Sequence, residues 1–223
     1  GRLLRDLLDV AARLRTRALI VPTSDLDLAF LSEHRSILSE RYLLSLPAPP
    51  ALRLALDKGL LHSALAKAGI PTPKTVRVDG ETGRGRGADK LRYPGVLKPA
   101  FSGDWKTRRA ARLLGCRKAV VVERPAELSN RYRALSEVSK RLILQEIIPQ
   151  KGQENYSFCG YAGERGRLLW GFVTRKIIQY PEAFGTALLC EALDHPEIHQ
   201  RGEQVVAAMA IAELLEPDMI RSE

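Results

Sequence analysis

The sequence predicts an α+β chain built on antiparallel sheets, with a short parallel α/β unit ahead of it. Three observations predict this. Apolar residues recur at helical spacing over 3–14, 24–38, 51–68 and 197–215. Two apolar or alternating runs, 155–161 and 168–175, flank Gly163 and Gly166 and read as a hairpin. From residue 51 the order is helix, strands, basic loop, strand, helix, strand, hairpin, long loop, helix, which is not the strand–helix alternation of a doubly wound sheet.

The elements follow in order. Leu3, Leu4, Leu7, Leu8, Val10, Ala11 and Leu14 line one face of the first helix. The run 18–21, stopped by Pro22, reads as a buried strand. Ser24 caps the next helix, with Asp25 and Asp27 in its first turn. One strand does not make a sheet, so its partner lies before Gly1 or elsewhere in the chain. Leu46-Pro47-Ala48-Pro49-Pro50 marks a boundary. Residues 1–48 then form one unit and 49–223 a second. The helix 51–68 ends at Gly69. Pro71 and Pro73 force an extended exit into a strand at 75–78. The glycine- and charge-rich stretch 80–87 reads as a loop. Strands follow at 96–98, 119–122 and 142–148, with a helix over 125–139 that begins on Pro125.

The 223 residues are enough for one or two compact units. Charged residues at 27% and hydrophobics at 45% exclude collagen-like and disordered chains. No apolar run approaches the ~18 residues of a membrane helix. Cys116, Cys159 and Cys190 form no C-x-x-C pair, which argues against a disulfide framework and a thiolate zinc site, and the expected compartment is the cytoplasm. His195 and His199 flank Pro196 without a third ligand and read as surface residues. The net charge of +9 is uneven: 84–141 holds 16 basic and 5 acidic residues. Such a segment attracts nucleic acid, membrane surfaces or nucleotide phosphates, and composition does not choose among them.

Several residues carry candidate chemistry. Lys98 ends an apolar strand between Pro94 and Pro99, and Lys58 lies on the 51–68 helix. Either alone reads as an exposed salt-bridge partner. An ammonium at a strand end is also a compact point charge suited to phosphate oxygens. Ser102-Gly103-Asp104 brings small residues whose backbone N–H groups can approach a phosphate. Leu144-Gln145-Glu146-Ile147-Ile148-Pro149 is a strand leaving into a linker, with bare backbone groups that match an adenine edge, and Glu154 follows. Arg175 and Lys176 end the hairpin, either as an edge-strand charge pair or as holders of a phosphate. Residues 179–186 form a loop able to close over a substrate. No G-x-x-x-x-G-K-[ST], G-x-G-x-x-G or G-x-S-x-G occurs.

The ordered set resembles the ATP-grasp superfamily. It comprises Leu56-Asp57-Lys58, Ala68-Gly69-Ile70-Pro71-Thr72-Pro73, Tyr93-Pro94-Gly95-Val96-Leu97-Lys98-Pro99, Ser102-Gly103-Asp104, Leu144 to Pro149, Glu154, and Arg175-Lys176 with Gln179-Tyr180-Pro181. The last pieces look like predicted carboligases near the D-aspartate ligase branch. Val21-Pro22-Thr23-Ser24-Asp25 looks like the end of the domain that precedes them. The resemblance implies two α+β lobes around an ATP cleft. Lys58, Lys98 and Ser102 would meet the phosphates, Gln145, Glu146 and Ile148 the adenine, and Glu154 the ribose. Arg175 and Lys176 would face the γ-phosphate or an acyl-phosphate. The implied activity joins a carboxylate to an amine at the cost of ATP, with Mg²⁺. The partners are then small-molecule carboxylates and amines, with neither nucleic acid nor membrane; a homo-oligomer is compatible with the chain.

The chain departs from that family after Leu215, where a strand pair bearing an acidic residue and a Glu-x-Asn is expected and is not evident. Truncation is the favoured account. The others are that Glu216, Asp218 or Glu223 substitute, or that nucleotide is bound without turnover. A nucleic-acid-binding protein is the third reading, resting on the basic segment.

Overall fold

The computed structural model describes residues 1–78, 85–115, 117–148, 154–180 and 186–221, except the side chain of Arg165. The expectations for Cys116, Pro149 and Glu223, and most of those for the stretches 80–87 and 179–186, lie outside the described residues.

The first part is small. Helix α1 (Arg2–Arg13) lays Leu4, Leu7, Leu8 and Ala11 against a core of Leu31, Leu38, Tyr42 and Leu46. Strand β1 (Leu19–Ile20) finds its partner within the chain, pairing parallel with β2 (Leu43–Leu44). Ser24 accepts from the Asp27 backbone N–H and so starts α2 (Asp25–Glu33), as its residue type predicts. The expected single helix breaks at His34 into α2 and α3 (Arg35–Ser39).

The expected helix over 51–68 is also two, α4 (Pro49–Leu56) and α5 (Lys58–Lys67). The cause is local. Asp57 turns extended, and its carboxylate accepts from the Leu60 backbone N–H, so it caps α5 instead of continuing α4. Lys58 therefore opens a helix, and its own N–H donates to the Ala100 carbonyl at the exit of the lysine-bearing strand.

A four-stranded antiparallel sheet follows, in the order β3–β6–β4–β5. Its strands are β3 (Thr75–Val78), β4 (Gly95–Pro99), β5 (Val120–Val122) and β6 (Leu142–Glu146). Leu97, Val122, Leu142 and Leu144 bury one face with helices α6 (Arg108–Leu114) and α7 (Leu128–Leu135). The helix expected from Pro125 begins with a 3₁₀ turn over Pro125–Glu127.

The second sheet is built on β7 (Glu154–Ala162), β8 (Leu168–Tyr180) and β9 (Thr186–Leu193), all antiparallel. The predicted hairpin is present. The predicted long loop instead becomes β9. Helix α8 (Pro196–Met209) covers one face, where Tyr156, Phe158, Ala162 and Val173 meet Ile198 and Val206. His195 and His199 stack edge-on to Tyr156 and Phe158.

The helix expected over 197–215 stops at Met209, because Ala210 turns left-handed at φ 47°. The chain then forms β10 (Glu213–Leu215) and β11 (Asp218–Arg221), both pairing antiparallel with β7. This corrects the reading of no strand pair after the helix. The open edge of β7 supplies the backbone partners, and Leu215 and Met219 pack against both α8 and the α4–α5 pair.

Phe158 is fully buried against three glycines. A Cβ at Gly202 would meet the Phe158 ring at 2.2 Å, and one at Gly171 at 2.4 Å. Gly202→Ala should therefore cost about 1–3 kcal/mol through overpacking, seen as a lower urea midpoint; an unchanged midpoint would refute this packing.

Candidate functional site

Lys98 sits on β4, whose neighbours Leu97 and Pro99 are buried, so the pleat turns its side chain away from that core. Its ammonium donates to Gln145 Oε1 at 2.6 Å. Gln145 stands on β6 opposite Val96, one diagonal step from Lys98. The Gln145 amide nitrogen donates to Thr75 Oγ1 and reaches His62 Nε2, each at 2.8 Å. His62 stands one turn after Lys58 on α5. Burial and then the Lys58 charge push the Lys98 ammonium down to about 8. Burial, then Lys98 and Lys58, push His62 down to about 4, so its ring is neutral at pH 7. Burial also lowers Lys58, against the pull of Asp25.

The cation cluster is larger than these two lysines. Lys106 bears on Lys58, while Lys118 feels Lys176 and Lys106. Asp218 on β11 acts on Lys58, Lys98 and Lys118. Ammonium groups of the four-stranded sheet and its loops thus face Lys176 and Asp218 of the second sheet. Lys58, Lys98 and Lys176 are half-buried and Lys106 and Lys118 exposed; a surface that gathers this much positive charge attracts a polyanion.

The pleat decides which second-sheet residues take part. Tyr156 and Phe158 point toward α8, so Ser157 and Cys159 point to the other face. Asp218 is opposite Ser157, whose hydroxyl donates to its Oδ1 at 2.9 Å. Arg175 is opposite Tyr156 and shares the helix side, which leaves Lys176 on the face of Ser157 and Asp218. Adjacent strand residues cannot serve one phosphate from the same side. Arg175 instead bonds Glu154 Oε1 (3.0 Å) and Glu191 Oε1 (2.7 Å). Arg221 lies 3.6 Å from Glu154 Oε2, so charges of alternating sign cross β11, β7, β8 and β9. The Tyr156 hydroxyl and then Arg175 hold the Glu154 carboxyl below its usual range.

The predicted site residues therefore divide. Lys58, Lys98 and Gln145 come together, and Lys176 reaches this group only through its effect on Lys118. Arg175 and Glu154 pair with each other on the helix-side face, and not with the lysine cluster. The Ser102 hydroxyl is bonded to the Asp25 carboxylate. The Glu146 side chain is buried and accepts from the Arg92 backbone N–H at 2.9 Å, while its own N–H donates to the Lys74 carbonyl at 3.0 Å. Ile148 is half-buried just past β6. Sequence reasoning missed His62, Thr75, Lys106 and Lys118. The four-residue step from Lys58 to His62 was a usable signal. Lys106 and Lys118 had none, because only the tertiary fold brings them in. Other bases of the segment 84–141 lie on the outer surface, where Arg109 pairs with Glu137 and Arg124 with Glu127.

The described residues include no group of three or more His, Cys, Asp or Glu side chains able to hold a metal ion. Asp218 acts on Lys58, Lys98 and Lys118, Asp25 and Asp57 also act on Lys58, and Glu216 acts on Cys159. This donor set does not by itself fit a bound Mg²⁺. No described helix is long and apolar enough to cross a membrane.

No family model and no curated protein matches the chain. Solved structures do. D-alanine–D-alanine ligase from Bacillus anthracis superposes with a TM-score of 0.66 at 16% identity, over 98% of this chain and 69% of its own. Biotin carboxylase from Campylobacter jejuni gives 0.67 at 16%, over 97% and 48%. L-amino acid ligase from Bacillus licheniformis gives 0.63 at 15%, over 96% and 48%. The chain thus spans about two thirds of the first and about half of the others. These likenesses show the ATP-grasp fold.

Proposed function

We propose that the lysine-lined cleft binds ATP and that the chain belongs to a ligase joining a carboxylate to an amine through an acyl-phosphate, on an amino acid or small peptide-like substrate. The observation that carries the proposal is that Lys58, Lys98 and Lys118 all feel Asp218 of the second sheet, with Lys106 acting on Lys58 and Lys118 and Lys176 acting on Lys118. The fold supports it: the Bacillus anthracis ligase was solved with ATP and the Campylobacter jejuni carboxylase with a β,γ-ATP complex. The predicted carboligase and D-aspartate ligase-like branch stays part of the proposal.

In this reading the lysines offset the charge of the triphosphate. A substrate carboxylate oxygen attacks the γ-phosphorus, the bond to the β-bridging oxygen breaks, and ADP leaves. The amine then attacks the acyl carbon, loses a proton, and phosphate departs as the amide forms. Lys98 and Lys176 stabilise the charge that spreads over the transferring oxygens. The Gln145–Ile148 backbone meets the base.

The test is release of ADP and phosphate from ATP with Mg²⁺, pooled carboxylic acids and amines. Release that requires both an acid and an amine supports the ligase. ATP binding with no release under any pairing favours a nucleotide-binding module. Affinity for nucleic acid that exceeds that for ATP would replace both.

The Lys98 pKa adds a pH prediction. ATP selects the ammonium form, so affinity should fall as pH rises through about 8, and binding above that pH should take up protons. Calorimetry in two buffers of different ionisation enthalpy reads the uptake; none at pH 8.5 would contradict the assignment.

A further inference from the structure

We infer that His62 is a positioning residue: its neutral ring, together with Thr75, locks the Gln145 amide so that the amide oxygen tethers the Lys98 ammonium. The donors and acceptors leave one arrangement. An ammonium only donates, so the Gln145 atom at 2.6 Å from Lys98 is the oxygen. The amide nitrogen then faces Thr75 Oγ1 and His62 Nε2 with two hydrogens for two acceptors. The Thr75 hydroxyl spends its own hydrogen on the Pro73 carbonyl at 2.9 Å, which leaves its oxygen free to accept. His62 Nε2 must then be bare and its single proton must sit on Nδ1, a buried atom with no hydrogen-bond partner among the described residues.

The chain Pro73–Thr75–Gln145–His62 is thus directional, and Lys98 reads its direction. Turning the amide over would aim its NH₂ at an ammonium. Protonating His62 would aim an N–H at the amide NH₂, and the two charges facing the ring, Lys58 and Lys98, both oppose that. A ring kept neutral keeps the tether, and the tether fixes one of the three Lys98 donors while leaving two for a ligand. Orienting the lysine before the ligand arrives lowers the ordering cost of binding. The functional consequence rests on the nucleotide reading; the tautomer does not.

Two measurements on the full chain test this. Long-range ¹H–¹⁵N NMR at neutral pH should show His62 as the Nδ1–H tautomer; an Nε2–H ring or an imidazolium overturns the inference whether or not ATP binds. ATP titration should show His62→Phe weakened by about tenfold and His62→Gln, which restores an acceptor, recovering most of that. In a Gln145→Leu background His62→Phe should add less than about twofold, because the path to Lys98 is already cut. Independent losses of about tenfold from each change would overturn the coupling. Absence of ATP binding by the unaltered chain counts against the proposed function, while the NMR result decides the His62–Gln145 link on its own.

Discussion

Replacing Lys98 with alanine is expected to lower ATP-dependent phosphate release by about 10²–10³-fold, the range for removing one pre-aligned donor from a developing charge, without unfolding the chain. The two halves of this expectation have separate causes. Hydrogen bonds to charged groups contribute about 1.5–3 kcal/mol each, and Lys98 keeps two donors beyond the one held by Gln145. Stability moves the other way. Burial already pushes the Lys98 ammonium down to about 8, so its charged form is disfavoured in the fold. Between that pKa and the higher value of the unfolded chain, the unfolded state binds more protons, and stability rises with pH. Lys98→Ala should remove this rise and hold or raise the melting temperature at pH 7. Unimpaired release by the folded variant would defeat the ATP assignment.

The sequence made some of this visible and hid the rest for physical reasons. Lys98 was legible because local signals frame it, flanking prolines and an apolar strand, while Lys58 was singled out within Leu56-Asp57-Lys58 and its capping aspartate emerges only in the structure. Strand β9 was not, since Thr186 to Leu193 shows no burial alternation for a period-two pattern to follow. Strand β10 was hidden by Glu213, Leu214 and Leu215, good helix formers that become strand because the edge of β7 and the α4–α5 surface receive them, and the four-residue β11 follows on the same edge. Burial of apolar side chains overrides propensity there. Lys118 and Lys106 belong to the cleft only by tertiary contact, which no spacing rule reports.

One distinction was available in the sequence and decides the second large effect. Lys176→Ala should cut phosphate release by about 10²-fold, as loss of one positioned cation does, with an unchanged melting temperature. Arg175→Ala should keep ATP affinity within about twofold and lower the urea midpoint instead, since exposed ion pairs contribute about 0.2–1 kcal/mol each. Arg175 joins Glu154 and Glu191 across three strands, so its loss also leaves Glu154 with Arg221 alone and takes the ion pair from Glu191. Lys176 makes no such ladder; it faces the lysine group through Lys118. The inference needs only the two-residue period of a strand and the observation that Tyr156, opposite Arg175, packs against α8. If Arg175→Ala abolished release and Lys176→Ala did not, the helix side of the sheet would have to carry the phosphate chemistry, and the cluster around Asp218 would lose its claim to be the site.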